Sequence, residues 1–299
     1  MTLRSTWSIV REAASDWVDD KATRLSAAVA FYTLLSLAPL FMIAIAIAGA
    51  VFGPEAATGA LTDQLRDLVG DAGAEVAKTT VERANRPKEG VVATIIGIAT
   101  LLFGASGVFG ELQDALNTAW GVQPKPGRGI WVMVRDRFLS FGMVLVVGFL
   151  LLVSLVITTA LAAFSGYLGG IVPVLPALMQ AANFLFGYLI VMALFALIFK
   201  FLPDAEIGWR DVWFGAAVTA ALFTVGKYLI SIYLGHGGVS TPFGAAGSLV
   251  AFIVWVYYSG LILFFGAELT KVTAQHAGRQ IRPAANAEPA KSEEGGMKV

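Results

Sequence analysis

The chain has no cysteine, two histidines and only 14% charged residues in 299 positions. The missing cysteines exclude disulfides, thiolate metal sites and cysteine nucleophiles. The low charge, against roughly 25% in ordinary soluble domains, leaves too little polar surface to cover a water-exposed globule. A formal net charge of zero argues against a nucleic-acid partner, which would need a concentrated basic face. Motifs of hydrolytic chemistry are missing too: no HExxH, no GxSxG and no clustered carboxylates occur. These absences point to no enzyme, no catalytic set, no metal and no cofactor.

What is there is apolar. Hydrophobic residues make up 57% of the chain and mean hydropathy is +0.73. Six runs stand out, at Phe31–Phe52, Val91–Gly110, Phe138–Phe164, Leu178–Phe199, Val212–Leu234 and Ala245–Ala267. Each can cross a hydrocarbon core of roughly 30 Å at about 1.5 Å per helical residue. The sequence thus predicts an all-α integral membrane protein with six transmembrane helices. Lys and Arg gather in the segments before the first run, after the second, between the fourth and fifth, and after the sixth. By the positive-inside rule both termini face the cytoplasm.

Between the runs, three regions divide the chain. Residues 1–24 lack a short apolar core with a cleavage site and are not read as a signal peptide. Leu3, Trp7, Val10, Ala14, Trp17 and Val18 fall near one helical face, which predicts an amphipathic helix. It lies either at the membrane surface or packed on the membrane domain, which spans 25–275. In the outer loop, residues 53–90, Leu61, Leu65, Leu68, Ala72, Val76 and Thr79 predict a second amphipathic helix. Residues 276–299, rich in Ala, Pro, Glu, Lys and Gly, are expected to be disordered.

Ionisable residues inside spanning helices are functional candidates by default. Lys227, in the outer half of the fifth run, is the charge in the interior of these runs. It either snorkels to the outer headgroups or faces the bundle and attracts an anionic substrate. Tyr228 beside it, Pro39, which should kink the first helix, and Tyr32 complete the candidate substrate-binding set. Towards the inner side, Glu268 can pair with Lys200 or, one turn along its own helix, with Lys271. Glu111 and Asp114 can meet Arg135 or Arg137. Gly104, Gly107 and Gly110, with Gly49 and Gly53, favour close helix packing.

Four segments carry a resemblance. They are Arg24–Pro39 (RLSAAVAFYTLLSLAP), Phe109–Trp120 (FGELQDALNTAW), Phe201–Asp204 (FLPD) with Trp209-Arg210, and Gly244–Ser248 through Trp255–Tyr258 to Gly266–Leu269. Together, over about residues 5–275, they resemble the YihY/BrkB family of bacterial inner-membrane proteins, once labelled ribonuclease BN. The resemblance implies a six-helix multi-pass protein, connected through other members with serum resistance, a virulence trait, and with envelope lipid traffic. The nuclease label is disfavoured, because no metal-binding acids or basic groove are visible. The expectation is a transporter of an envelope lipid or another amphipathic anionic substrate. Its alternative is a non-transporting scaffold for envelope or virulence-related partners. Membrane lipids are the expected partners, together with a homo-oligomer or an envelope protein.

Overall fold

A computed structural model of the chain describes residues 3–35, 53, 59, 107–126, 150, 175–235 and 247–290. Helix α1, Leu3–Asp19, is followed by α2, Ala22–Leu35. Lys21 takes a left-handed φ of 54° between them, which stops α1 without a glycine. Helix α3 is described over 107–119 and leads into strand β1, Val122–Pro124. Helix α4, Leu175–Phe201, carries Pro176 in its first turn, where no intrahelical donor is lost. Strand β2, Ala205–Glu206, then leads to α5, Trp209–Gly235, with Asp211 favourably placed in the first turn. Helix α6, Gly247–His276, precedes strands β3, Arg282–Pro283, and β4, Ala287–Pro289.

Among the described residues, three helices are long and apolar enough to cross a membrane: Gln180–Phe201, Trp209–Leu229 and Val250–His276. They correspond to the expected fourth, fifth and sixth spans. Most of the first three expected spans, almost all of the outer loop, Pro39 and Arg137 lie outside the described residues. Of the three long helices α6 is central. Half of its most apolar window is buried, against 17% for α4. Leu263, Phe264 and Ala267 of α6 share a core with Val212, Ala216 and Ala220 of α5 and Phe195, Ala196 and Phe199 of α4. Leu112, Ala115, Leu116 and Trp120 bring α3 into the same core. Helix α1 packs separately, setting Ile9 and Ala13 against Leu269 and Val272 of α6. Of the face expected from Leu3, Trp7, Val10, Ala14, Trp17 and Val18, Val10 and Trp17 pack against these cores, whereas Trp7 and Val18 stand exposed.

Helices α5 and α6 meet through a reciprocal pair of glycines and threonines. Thr270 of α6 fills the place where a Cβ on Gly215 of α5 would sit, and Thr219 of α5 does the same at Gly266 of α6. Each hydroxyl donates back along its own helix, Thr219 Oγ1 to Gly215 O at 2.7 Å and Thr270 Oγ1 to Gly266 O at 2.6 Å. The polar groups are thereby satisfied inside an apolar seam, and the two backbones approach closely. The glycines that the sequence offered for packing were others. Of those, Gly107 lies against Tyr32, and a Cβ there would be 3.4 Å from Tyr32 Cδ1.

The segment expected to be disordered from residue 276 needs correction over its first part. Helix α6 ends in a Schellman motif, with Gly278 at φ 71° and the Arg279 N–H bonded to Ala274 O at 2.9 Å. The chain then returns as β3 and β4, antiparallel to β2 and β1 respectively. Long-range hydrogen bonds replace the missing large apolar side chains. Asn286 Nδ2 donates to Asp204 Oδ1 at 2.9 Å, and the Ala284 N–H to Asp204 O at 2.9 Å. Residues 291–299 lie outside the described residues. Asn286→Ala should cost about 1.5–3 kcal/mol, the worth of a hydrogen bond to a charged acceptor. Faster hydrogen–deuterium exchange at Lys125 and Ala290, whose N–H groups bond to Asn286 O and Gly121 O, is the check. Unchanged exchange there would show that Asp204 does not hold the strands.

Candidate functional site

Polar side chains converge where α1, α3, the α4–α5 turn and the end of α6 meet. Glu268 is 1% exposed within an otherwise apolar stretch of α6. One turn later Lys271 places Nζ 2.6 Å from Glu268 Oε2, 3.1 Å from Asp16 Oδ2 and 4.0 Å from Asp20 Oδ2. One ammonium thus serves three carboxylates and ties α1 to α6. Further along the same face, His276 Nε2 lies 2.7 Å from Glu12 Oε2. Of the two partners offered for Glu268 by the sequence, the structure forms the local one.

Lys200 is the correction. Its Nζ donates to Ile207 O at 2.6 Å and sits 5.7 Å from the centre of the Trp209 ring. The turn through Leu202-Pro203-Asp204 folds the following residues back over the end of α4. The ammonium therefore meets its own chain seven residues on, and a pair with Glu268 is not made.

Two further contacts were not anticipated. Asn117 Nδ2 donates to Asp204 Oδ2 at 3.0 Å, and the Asp204 N–H donates to Asn117 Oδ1 at 2.7 Å. Both residues are buried, and they join two of the segments that carry the family resemblance. Arg279 forms a two-pronged pair with the buried Asp211, with Nε 2.9 Å from Oδ2 and Nη2 on Oδ1. No sequence signal singled out the first pair, since Asn117 stands among other polar residues of its helix and Asp204 in a turn. None existed for Arg279, which lay in the expected tail.

The candidate substrate residues are placed as follows. Lys227 is half-buried on α5, and no hydrogen bond or ion pair involves it among the described residues. It follows Gly226, which packs against the Tyr258 ring of α6. Tyr228 is exposed, and Tyr32 is exposed on α2 with an edge-on contact to Phe31. No ring contact or hydrogen bond among the described residues joins Tyr32 to Lys227 or Tyr228. Glu111 is on α3, where burial first and the Asp114 charge second hold its carboxyl above the usual range. Among the described residues no group of three or more His, Asp or Glu is arranged to hold a metal ion.

Chemically, the convergence offers a buried carboxylate, a shared ammonium and exchangeable carboxylate partners. Such an arrangement can hold or release charge as helices shift. Comparisons with known proteins bear on the chain as a whole. The sequence matches the family described as virulence factor BrkB over residues 13–291. It is 27% identical over 249 residues to a UPF0761 membrane protein of Verminephrobacter eiseniae, covering 80% of this chain and 56% of that one. It is 26% identical over 264 residues to one of Pseudoalteromonas translucida, covering 85% and 81%. A Pseudomonas aeruginosa relative is 27% identical over 265 residues, covering 87% and 61%. The chain thus spans 56% and 61% of the length of two of these relatives. No solved structure matches. With the family match running across α1 to β4 and the long apolar helices within it, this chain belongs to the virulence factor BrkB family of membrane proteins.

Proposed function

We propose that the chain is a translocator for an anionic, amphipathic substrate, an envelope lipid or its precursor, in a bacterial inner membrane. The observation that carries this reading is Lys227. A cation within a helix of spanning length is costly unless a partner or a water-filled path receives it. Among the described residues no carboxylate pairs with it, and in this reading an anionic headgroup is the partner it receives. Lys227 lies beside the seam between α5 and α6, and Lys271 sits far along α6 from it. In this reading the carboxylates around Lys271 exchange partners as α1 shifts, while Lys227 receives the substrate's charge. The chain then acts as a carrier and performs no covalent chemistry. Both termini lie in the cytoplasm, as the Lys and Arg distribution favours.

Lys227→Ala in the reconstituted protein should lower the rate of anionic-lipid translocation about tenfold or more, the loss expected with a close charge partner. Lys227→Arg should keep most of it, and both variants should melt near the wild-type temperature. An unchanged rate in Lys227→Ala removes the residue from the mechanism.

One observation favours the scaffold reading: Trp7 is 71% exposed and Val18 64% exposed on α1. A scaffold would lose captured envelope partners in Trp7→Ala, whereas a translocator would keep its transport rate.

A further inference from the structure

We infer that the end of the bundle holding Lys271 contains a binding site for an oxyanion, a phosphate or a phosphate-like headgroup. A cavity of about 390 Å³ opens there. Trp120 from the end of α3, Lys271 and Gln275 from the last turns of α6, and Arg279, Gln280 and Ile281 from the chain after it form its wall. The volume falls within the range of small-molecule sites.

The wall is rich in donors. Among the described residues no acidic side chain lines the cavity. The carboxylates stand behind it. Asp16 and Glu268 hold Lys271, and Asp211 grips Arg279 through two of its N–H bonds. A guanidinium has five N–H bonds, so Arg279 keeps donors for another acceptor while its position is fixed. Trp120 adds a second, independent sign. It is only 4% exposed, and among the described residues its indole N–H has no acceptor. A buried donor without a partner is uncommon in folded proteins and calls for an explanation. The two glutamine side chains supply further N–H groups, and the faces of Trp120 and Ile281 supply apolar surface.

The electrostatics narrow the ligand. The two cations face four carboxylates behind the wall, Asp16, Asp20, Glu268 and Asp211, and a helix C-terminus adds a further partial negative charge. A long-range field would therefore not retain a simple halide. Retention must come from several directed hydrogen bonds, which suits a group with three or four acceptor oxygens. Such a group arrives either as the head of an anionic lipid or as a free phosphate compound. A role as the loading site for transport rests on the translocation reading; the binding itself does not.

The test uses the full chain and two sets of probes. Inorganic phosphate and glycerol 3-phosphate are titrated calorimetrically into detergent-solubilised protein. In nanodiscs, native mass spectrometry compares retained phosphatidylglycerol with phosphatidylcholine. Saturable binding at one site per chain is expected in at least one arm. A phosphatidylglycerol-only result identifies a headgroup site, and binding of the free phosphates identifies a soluble ligand. Gln280→Glu, an exposed position that puts a like charge in the wall, should weaken binding about tenfold or more with the melting temperature kept. Trp120→Phe, which removes the N–H but keeps most of the ring, should weaken it about fivefold. The inference is overturned if no probe binds saturably, or if neither substitution changes the binding. Saturable binding by a chain that does not transport would remove the translocation reading alone.

Discussion

Gly215→Ala is expected to be among the most damaging single-methyl substitutions in the described part of this protein. A Cβ at that position would lie 2.8 Å from Thr270 Cβ and still nearer to its hydroxyl oxygen. The obstacle is the branched root of a side chain on α6, not a flexible tip, so no rotamer change removes it. The helices must separate, and dispersion contacts are lost along the whole α5–α6 seam. Overpacking typically costs about 1–3 kcal/mol and here should reach the top of that range or exceed it. In detergent this should appear as a fall in melting temperature of about 6 °C or more. Thr270→Gly in the same chain should recover much of the loss, because it clears the space the new methyl needs. The mirror substitution, Gly266→Ala, should behave alike, since Thr219 Cβ would be 2.9 Å away. A wild-type melting temperature for Gly215→Ala would mean that α5 and α6 do not meet in this register.

Lys271→Met is expected to have the second large effect. The substitution keeps the length and volume of the side chain but leaves Glu268, 1% exposed, facing Asp16 and Asp20 without a cation. Removing one partner of a buried pair costs about 3–5 kcal/mol, because the remaining charge is desolvated and uncompensated. Glu268→Gln combined with Lys271→Met should restore most of that stability, since no buried charge is then stranded. A double-mutant cycle by thermal unfolding measures both. Should the single variant match the wild type, or the double variant be no better than the single, Lys271 is not the counter-charge of Glu268. The ends of α1 and α6 should separate together in the single variant, because Lys271 also bridges to Asp16.

These two sites differ in how far the sequence disclosed them. The pair Glu268 and Lys271 was readable, because residues three apart on a helix are neighbours whatever the rest of the chain does. The additional carboxylates of Asp16 and Asp20 were not readable, since they depend on how α1 lies across α6. The register of α5 on α6 was hidden for a similar reason. Each helix shows a glycine followed four residues later by a threonine, at Gly215 and Thr219 and at Gly266 and Thr270. Such small-residue spacing recurs in apolar helices of this chain, and only the crossing shows which spacings face each other. Lys200 was offered beside Lys271 as a partner for Glu268 because depth along a helix was visible and the turn at 202–204 was not. The strands after α6 were missed because composition measures what a segment can bury by itself. Residues 282–289 bury little, and they are ordered by backbone partners at 122–124 and 205–206 and by the carboxylate of Asp204.

By itself the sequence determined that this is a membrane protein with long apolar helices, where its charges fall along them, and which family it resembles. Those properties are local. A spanning helix satisfies its own backbone hydrogen bonds, so run length and hydropathy suffice to predict it. Only the tertiary structure decided that Lys271 gathers carboxylates from two helices, that Asn117 and Asn286 meet on Asp204, and that Trp120, Arg279 and Gln280 share one cavity. Each of those contacts joins segments far apart in the chain. Its existence depends on the angle and register at which helices cross, and no single segment carries that information.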